Sequence, residues 1–354
     1  MLESLFKTPV NLVLGAVLGA SVLGNAAVAE DRMALYEPFG QIPVPSKEYR
    51  IGVILKTFNN DYFIDLRNGF QDAADKYGVK VEFFAAPGET DLLVQKQLME
   101  DMLVRQFDLI AVNPSSTSNL LEPASRATKM GIPLINVNDA YISKEDQEKH
   151  NIDIISFIST DWAEQMRNHV RYCAEKLGPD GGKIAHIMGF PGSTAATARL
   201  AGYEEELKKY PQLENVAVLP ADWDRKKAMD VGADMIQANP DLNCLSASND
   251  NMALGAIQAL KNADKLDDVI VMGCDGIPDA VKAIESGELS ATVAFMQYEN
   301  GYNTIEAAIL YLEGMGEKIP ETIFASQEIW DASNIEDKIA NYGQYYSGMA
   351  KLKN

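Results

Sequence analysis

From Tyr49 onward the chain alternates short apolar runs with longer amphipathic stretches. The runs are "RIGVILK", "VKVEFFAA", "FDLIAVN", "IPLINVN", "IISFIS", "GKIAHIMG", "VAVLP", "LNCLSAS", "VIVMGC" and "SATVAF". Short runs rich in Val and Ile, apolar on both faces, predict buried parallel strands. The stretches between them carry helical periodicity. In "DRKKAMDVGADMIQANP", Ala228, Val231 and Met235 share a face and Pro240 ends the helix. In "ETDLLVQKQLMEDMLVRQ", Leu98, Met99, Met102 and Leu103 form the apolar side, with Thr90 placed as the N-cap. Repeated strand–helix–strand units predict an α/β fold with parallel sheets covered on both faces. About ten strands exceed one doubly wound domain, so two similar lobes are expected. The charged stretch "SKEDQEKHNID", Ser143 to Asp153, breaks the rhythm, and the first crossing between lobes is expected near Ser159.

The length of 354 residues suits two domains of ordinary size. The formal net charge of −20 argues against a nucleic-acid binder, which needs a cationic face, and against docking on an anionic membrane surface. The first residues, with Lys7, an apolar stretch from Val10 to Gly24 and the small-residue site Ala27-Val28-Ala29, fit a secretory signal peptide cleaved after Ala29. Residues 30–48 are then an N-terminal arm. Cys173, Cys244 and Cys274 lack metal-ligand spacing. Cys244 and Cys274 stand at opposite ends of successive runs, so free buried thiols are expected. The histidines, His150, His169 and His186, show no metal spacing either, and no metal or cofactor is expected.

In open parallel sheets, ligands bind outside the carboxyl ends of the strands. The residues after each run are therefore the candidate chemistry. They are Asn59, Asn60, Tyr62 and Phe63; Asn113; Asn138 and Asp139; "FPGSTAATAR" ending at Arg199; Asp222, Trp223 and Asp224; Asn249 and Asp250; Asp275; and Gln297 with Tyr298. This set of amides, carboxylates and aromatics, with no His and no well-placed Lys, suits a neutral polyhydroxy ligand. Aromatic faces cover its C–H surfaces while polar side chains exchange hydrogen bonds with its hydroxyls. Each Asn or Asp has an ordinary alternative. Asn113-Pro114 and Asp279 suit turns, and Asp250 and Asp222 suit helix caps.

Competing motifs fail on spacing. "GPDGGKI" is not a phosphate loop, "GFPGSTAATAR" is Gly-poor for a dinucleotide fingerprint, and "NDNMALGAIQ" lacks the acids of a calcium loop. No G-x-S-x-G elbow or Ser–His–acid set appears, so an enzyme is not expected. The charge and the signal-like N-terminus argue against a transcriptional repressor with a similar core, which export of the protein would exclude.

The motifs "NNDYF", "GIPLINVND", "GSTAATARLAGY", "PADWDRKKAMDVGADMI", "ASNDNMALGAIQAL" and "VIVMGCDGIPDAVKAI" occur in an order that resembles the periplasmic sugar-binding proteins of ABC importers, of the ribose-binding kind. The resemblance covers about Arg50 to Trp330. It implies a type I periplasmic binding protein: two Rossmann-like lobes with parallel sheets, hinged by three crossovers, and a ligand between them. The lobes are then expected at 49–158 plus 296–326 and at 159–295 plus 327–354. By position, Asn60, Tyr62, Phe63, Trp223, Asn249 and Asp275 match ligand positions of the family. Where ribose binders have an Asp-Arg pair, this chain has Asn138-Asp139. Thr197 stands at a ligand-binding Arg, with Arg199 retained nearby, and Phe295 replaces a Gln. These departures point away from ribose, toward a smaller or less hydroxylated polyol or a different furanose. The chain also resembles the related autoinducer-2 receptor through "DYF", Asn138, Arg199 and "SQEIWDASNIEDKI". It lacks that receptor's Trp at Cys274 and second Arg at Phe295, which argues against a borate diester.

The expected protein is therefore a monomeric periplasmic receptor for a small neutral sugar or polyol, serving an inner-membrane permease. The alternative is a receptor, for autoinducer-2 or a sugar, that signals through a membrane sensor kinase or chemoreceptor. Tyr62 and Phe63 are expected to face Trp223 across the ligand. Asn60, Asn138, Asp139, Arg199, Asn249, Asp275 and Gln297 are expected to bond its hydroxyls.

Overall fold

The computed structural model describes residues 38–139 and 142–342. The expected signal peptide and the start of the arm lie outside the described residues. In chain order the first elements are β1 (Arg50–Leu55), α1 (Asp61–Tyr77), β2 (Lys80–Ala85), α2 (Leu92–Leu103), β3 (Leu109–Val112), α3 (Leu121–Lys129), β4 (Leu134–Val137), α4 (Lys144–His150) and β5 (Ile154–Ser159). Then come α5 (Trp162–Leu177), β6 (Gly182–Met188), α6 (Thr194–Leu207), β7 (Leu213–Pro220), α7 (Arg225–Ala238), β8 (Leu242–Ala247), α8 (Asp250–Asn262), β9 (Ile270–Asp275) and α9 (Pro278–Glu285). The chain ends with β10 (Ala291–Phe295), α10 (Gln297–Leu312), β11 (Thr322–Phe324), β12 (Gln327–Asp331) and α11 (Ile335–Tyr342).

All ten apolar runs are strands, and two further short strands complete the set. They form two six-stranded sheets with orders β11-β5-β4-β3-β1-β2 and β12-β10-β9-β8-β6-β7. Every pairing is parallel except β10 with β12. The path passes between sheets three times, after β5, after β10 and after β11. The central strands are buried on both faces, as in "LIAV" and "ATVAF", which explains their unbroken apolar pattern. Helices α1 and α10 pack closely because Gly69 has no side chain. A Cβ there would stand 2.0 Å from the Tyr298 carbonyl oxygen. Among the described residues no helix is long and apolar enough to cross a membrane.

Several expectations are corrected here. Cys173 on α5 and Cys244 on β8 form a disulfide, with Cα atoms 6.3 Å apart, so only Cys274 is a free buried thiol. The pairing joins a crossing helix to the strand beneath it, a neighbour relation invisible before the sheet order is known. Helix α2 starts later than Thr90 implies, with Asp91 at the cap and no side-chain cap bond. Asp224, not Asp222, caps α7, and Asn249, not Asp250, caps α8. Asp250 instead accepts from the Thr292 hydroxyl and the Ile277 N–H.

Candidate functional site

The strand tips of the two sheets face one another around a small cavity of about 30 Å³. It is lined by nine of the ten expected residues: Asn60, Tyr62, Phe63, Asn138, Asp139, Arg199, Trp223, Asn249 and Asp275. Gln297 is not among them. It is fully buried at the start of α10, and neither side-chain amide atom has a hydrogen-bond partner there. Lys56, Glu89 and Trp162 join the lining, and sequence reasoning missed all three.

The aromatic walls are held from behind. Tyr62 and Phe63 pack edge to face with centroids 5.0 Å apart, and Tyr62 leans on Phe295 at 5.5 Å. The Tyr62 hydroxyl donates to the Asn138 side-chain oxygen, while the Asn138 amide donates to Asn113 at 3.3 Å. Asn138 has φ 64, a left-handed conformation that Asn tolerates. Across the cavity, Asp222 and Trp223 both have positive φ, 53 and 68. For a bulky residue such backbone is costly, and it concentrates at ligand clamps. Trp223 also rests on Gly189, where a Cβ would lie 2.2 Å from the indole ring. Substituting Gly189→Ala is expected to push Trp223 off its seat and weaken ligand binding about tenfold, by analogy with overpacking costs of ~1–3 kcal/mol, as read by titration calorimetry.

The helix-cap and ligand readings of the tip amides turn out to be compatible. The Asn60 oxygen caps α1 by accepting from the Tyr62 N–H at 3.1 Å, and its NH₂ donates to Glu89 at 3.0 Å. The Asn249 oxygen caps α8 by accepting from the Met252 N–H at 2.9 Å, and its residue still lines the cavity.

Five charged groups meet in the cavity. Arg199, 4% exposed, lies over Trp162 at 4.6 Å and Trp223 at 5.4 Å. It donates to Gln165 at 3.0 Å and stands 3.6 Å from Asp275. Burial pushes the Asp275 carboxyl well above the usual carboxylate range, against the Arg199 guanidinium and with Asp250 and Glu89 adding to the rise. Such a carboxyl gains from hydroxyl donors that stabilise its ionised form. Burial likewise raises the half-buried Glu89.

Asp139 lines the cavity and also has partners that the sequence did not suggest. It accepts from the Lys56 ammonium in its own lobe, and from the Ser193 hydroxyl and the Ala195 N–H, both at 2.8 Å, in the other. Burial pushes its carboxyl up, but the Lys56 charge and these bonds override that and hold it below the usual range. The expectation of no well-placed Lys is overturned, because Lys56 is 2% exposed beneath the cavity and sits 5.8 Å from the Trp223 ring centre. The Thr117 N–H also reaches the Gly192 carbonyl at 3.2 Å, so the two lobes are closed on each other. His169 and His186 lie away from the cavity, bonded to Ser246 inside the second lobe.

Comparison with known proteins agrees with this architecture. Residues 51–318 match the periplasmic binding protein domain family. The chain is similar to the D-allose-binding periplasmic protein of Escherichia coli, 40% identical over 68% of this chain and 78% of that one. It is similar to the ribose import binding protein of Salmonella typhimurium, 30% identical over 87% of this chain and 93% of that one. Among solved structures it resembles an ABC transporter periplasmic solute binding protein from Actinobacillus succinogenes with bound D-allose. That likeness has a TM-score of 0.76 at 26% identity, over 82% of this chain and 100% of that one. Two mostly parallel sheets joined by three crossings, strand tips converging on a closed cavity, and a match spanning most of the chain have one reading: the protein belongs to the periplasmic binding protein domain family.

Proposed function

We propose that this protein is the solute receptor of an ABC importer, binding a small neutral sugar or polyol between its lobes and delivering it to an inner-membrane permease. The observation that carries the reading is the cavity itself. Aromatic rings on both walls flank a rim of Asn60, Asn249, Asp275 and Arg199, which pairs flat apolar faces with directional donors and acceptors. The named ligands of the relatives, D-allose and ribose, support the same class. The chemistry is binding, not turnover. Ligand contacts from both lobes favour the closed arrangement, and the closed form is what the permease meets.

We assign the lobes to 49–158 with 296–326 and to 159–295 with 327–354, each sheet falling in one of them apart from Ser159, the last residue of β5. Residues 1–29 act as an export signal and the mature protein works as a monomer in the periplasm. A thermal-shift screen of the exported protein against tetritols, pentoses, hexoses and cyclic polyols tests the function, since a bound ligand raises the melting temperature with its concentration. Mass measurement of the same periplasmic sample reports cleavage after Ala29 and the monomeric state. Trp223→Ala is expected to weaken the best ligand about thirtyfold, the loss usual for a buried aromatic anchor. A variant with unchanged affinity by calorimetry removes this wall from the site.

A further inference from the structure

We propose that Trp162 sets the size of the ligand, restricting the cavity to pentose-sized or smaller sugars and polyols, and that its indole N–H is a donor held for a ligand oxygen. The inference rests on the sugar reading above and deepens it.

Trp162 is the first residue of α5, where the chain first crosses between lobes. Its backbone is fixed there by the Asp161 cap, whose side chain accepts from the Glu164 N–H at 3.0 Å. The indole lines the cavity and is 7% exposed. It has no room to withdraw. The Phe295 ring meets it edge-on at 5.6 Å, and Phe295 is itself fully buried against Tyr62. The Arg199 guanidinium covers the indole at 4.6 Å. The bulk of two aromatic side chains therefore fills the hinge end of the cavity. The space left beside them in the closed form is small, about 30 Å³. The Trp162 N–H is buried and has no acceptor in the protein. A buried donor left unpaired is costly, and a bound oxygen relieves that cost. Size and donor together select a short ligand that places an oxygen at the hinge end. This would set the chain apart from its relative that binds D-allose, a hexose.

The test is calorimetry on the exported, mature protein with erythritol, the aldopentoses and the aldohexoses. The wild type is expected to prefer its best pentose or tetritol over every hexose by about a hundredfold or more. Trp162→Ala is expected to narrow that ratio at least about tenfold by admitting hexoses, and Trp162→Leu decides the point if the alanine variant does not fold. Trp162→Phe keeps the bulk and loses the N–H, so it is expected to retain the size preference while binding the best ligand about tenfold more weakly. A wild type that binds hexoses as tightly as pentoses, or variants that leave the ratio unchanged, overturns the size role and leaves the sugar receptor standing. A Trp162→Phe variant of wild-type affinity overturns the donor role. A wild type that binds no sugar or polyol overturns the function and this inference with it.

Discussion

Asp139→Ala is expected to lower ligand affinity by at least about a hundredfold while leaving the melting temperature of the ligand-free protein nearly unchanged. In the closed form this carboxylate is the buried counter-ion of Lys56 and the acceptor for Ser193 and Ala195 across the cleft. Removing it leaves a buried ammonium unpaired, a loss of about 3–5 kcal/mol, and deletes two bonds between lobes. Opening the cleft is expected to return Lys56 to water, so the cost is expected to fall on closure and not on folding. Small-angle scattering at saturating ligand is expected to show a more extended particle for the variant. The pH dependence has a definite sign. Because the folded pKa is depressed, the contribution is complete above the ordinary carboxylate value of about 4 and is lost as the pH falls through the lower, folded value. Wild-type affinity in the variant would make Asp139 a bystander.

Breaking the Cys173–Cys244 disulfide is expected to cost about 4 kcal/mol of stability. The two residues are 71 apart in sequence, and the chain-entropy account assigns a loop of that length roughly this value. Urea unfolding of the wild type with and without a reductant, beside Cys173→Ser/Cys244→Ser, reads the effect. Ligand affinity well below the melting temperature is expected to stay at the wild-type value, since neither cysteine lines the cavity. Superimposable unfolding curves in oxidant and reductant would show that the crosslink constrains nothing.

Much of this molecule is legible in its pattern of apolar runs. Val- and Ile-rich segments buried on both faces announce themselves, and the residue after each lies at a sheet's carboxyl end whatever the order of the strands. That is why Asn60, Tyr62, Trp223 and Asp275 could be named together. What escaped depended on partners far along the chain. Lys56 follows β1 directly and resembles a solvated boundary residue until Asp139, 83 positions later, arrives to neutralise it. Trp162 looks like the apolar side of an ordinary helix, because a crossing expected near Ser159 does not show which side chain of the following helix meets the cavity. Cys173 finds its partner only once α5 lies over β8. Strands β11 and β12 are too short and too mixed in composition to stand out from a loop. Gln297 fails for a converse reason, since following a strand did not turn its side chain toward the cavity.

The amide of Asn249 has a consequence for what the site can recognise. Its oxygen is committed to the first turn of α8, so rotating the amide by half a turn would break the cap. With the amide held in this orientation, its NH₂ is the part left free to donate, from one fixed direction. Asn60 is tied in the same way at α1. Side chains frozen before the ligand arrives surrender little freedom when it does, so affinity here need not be spent on ordering the receptor. A ligand must bring oxygen acceptors to fixed points in space, and a mirror-image sugar would carry its oxygens elsewhere.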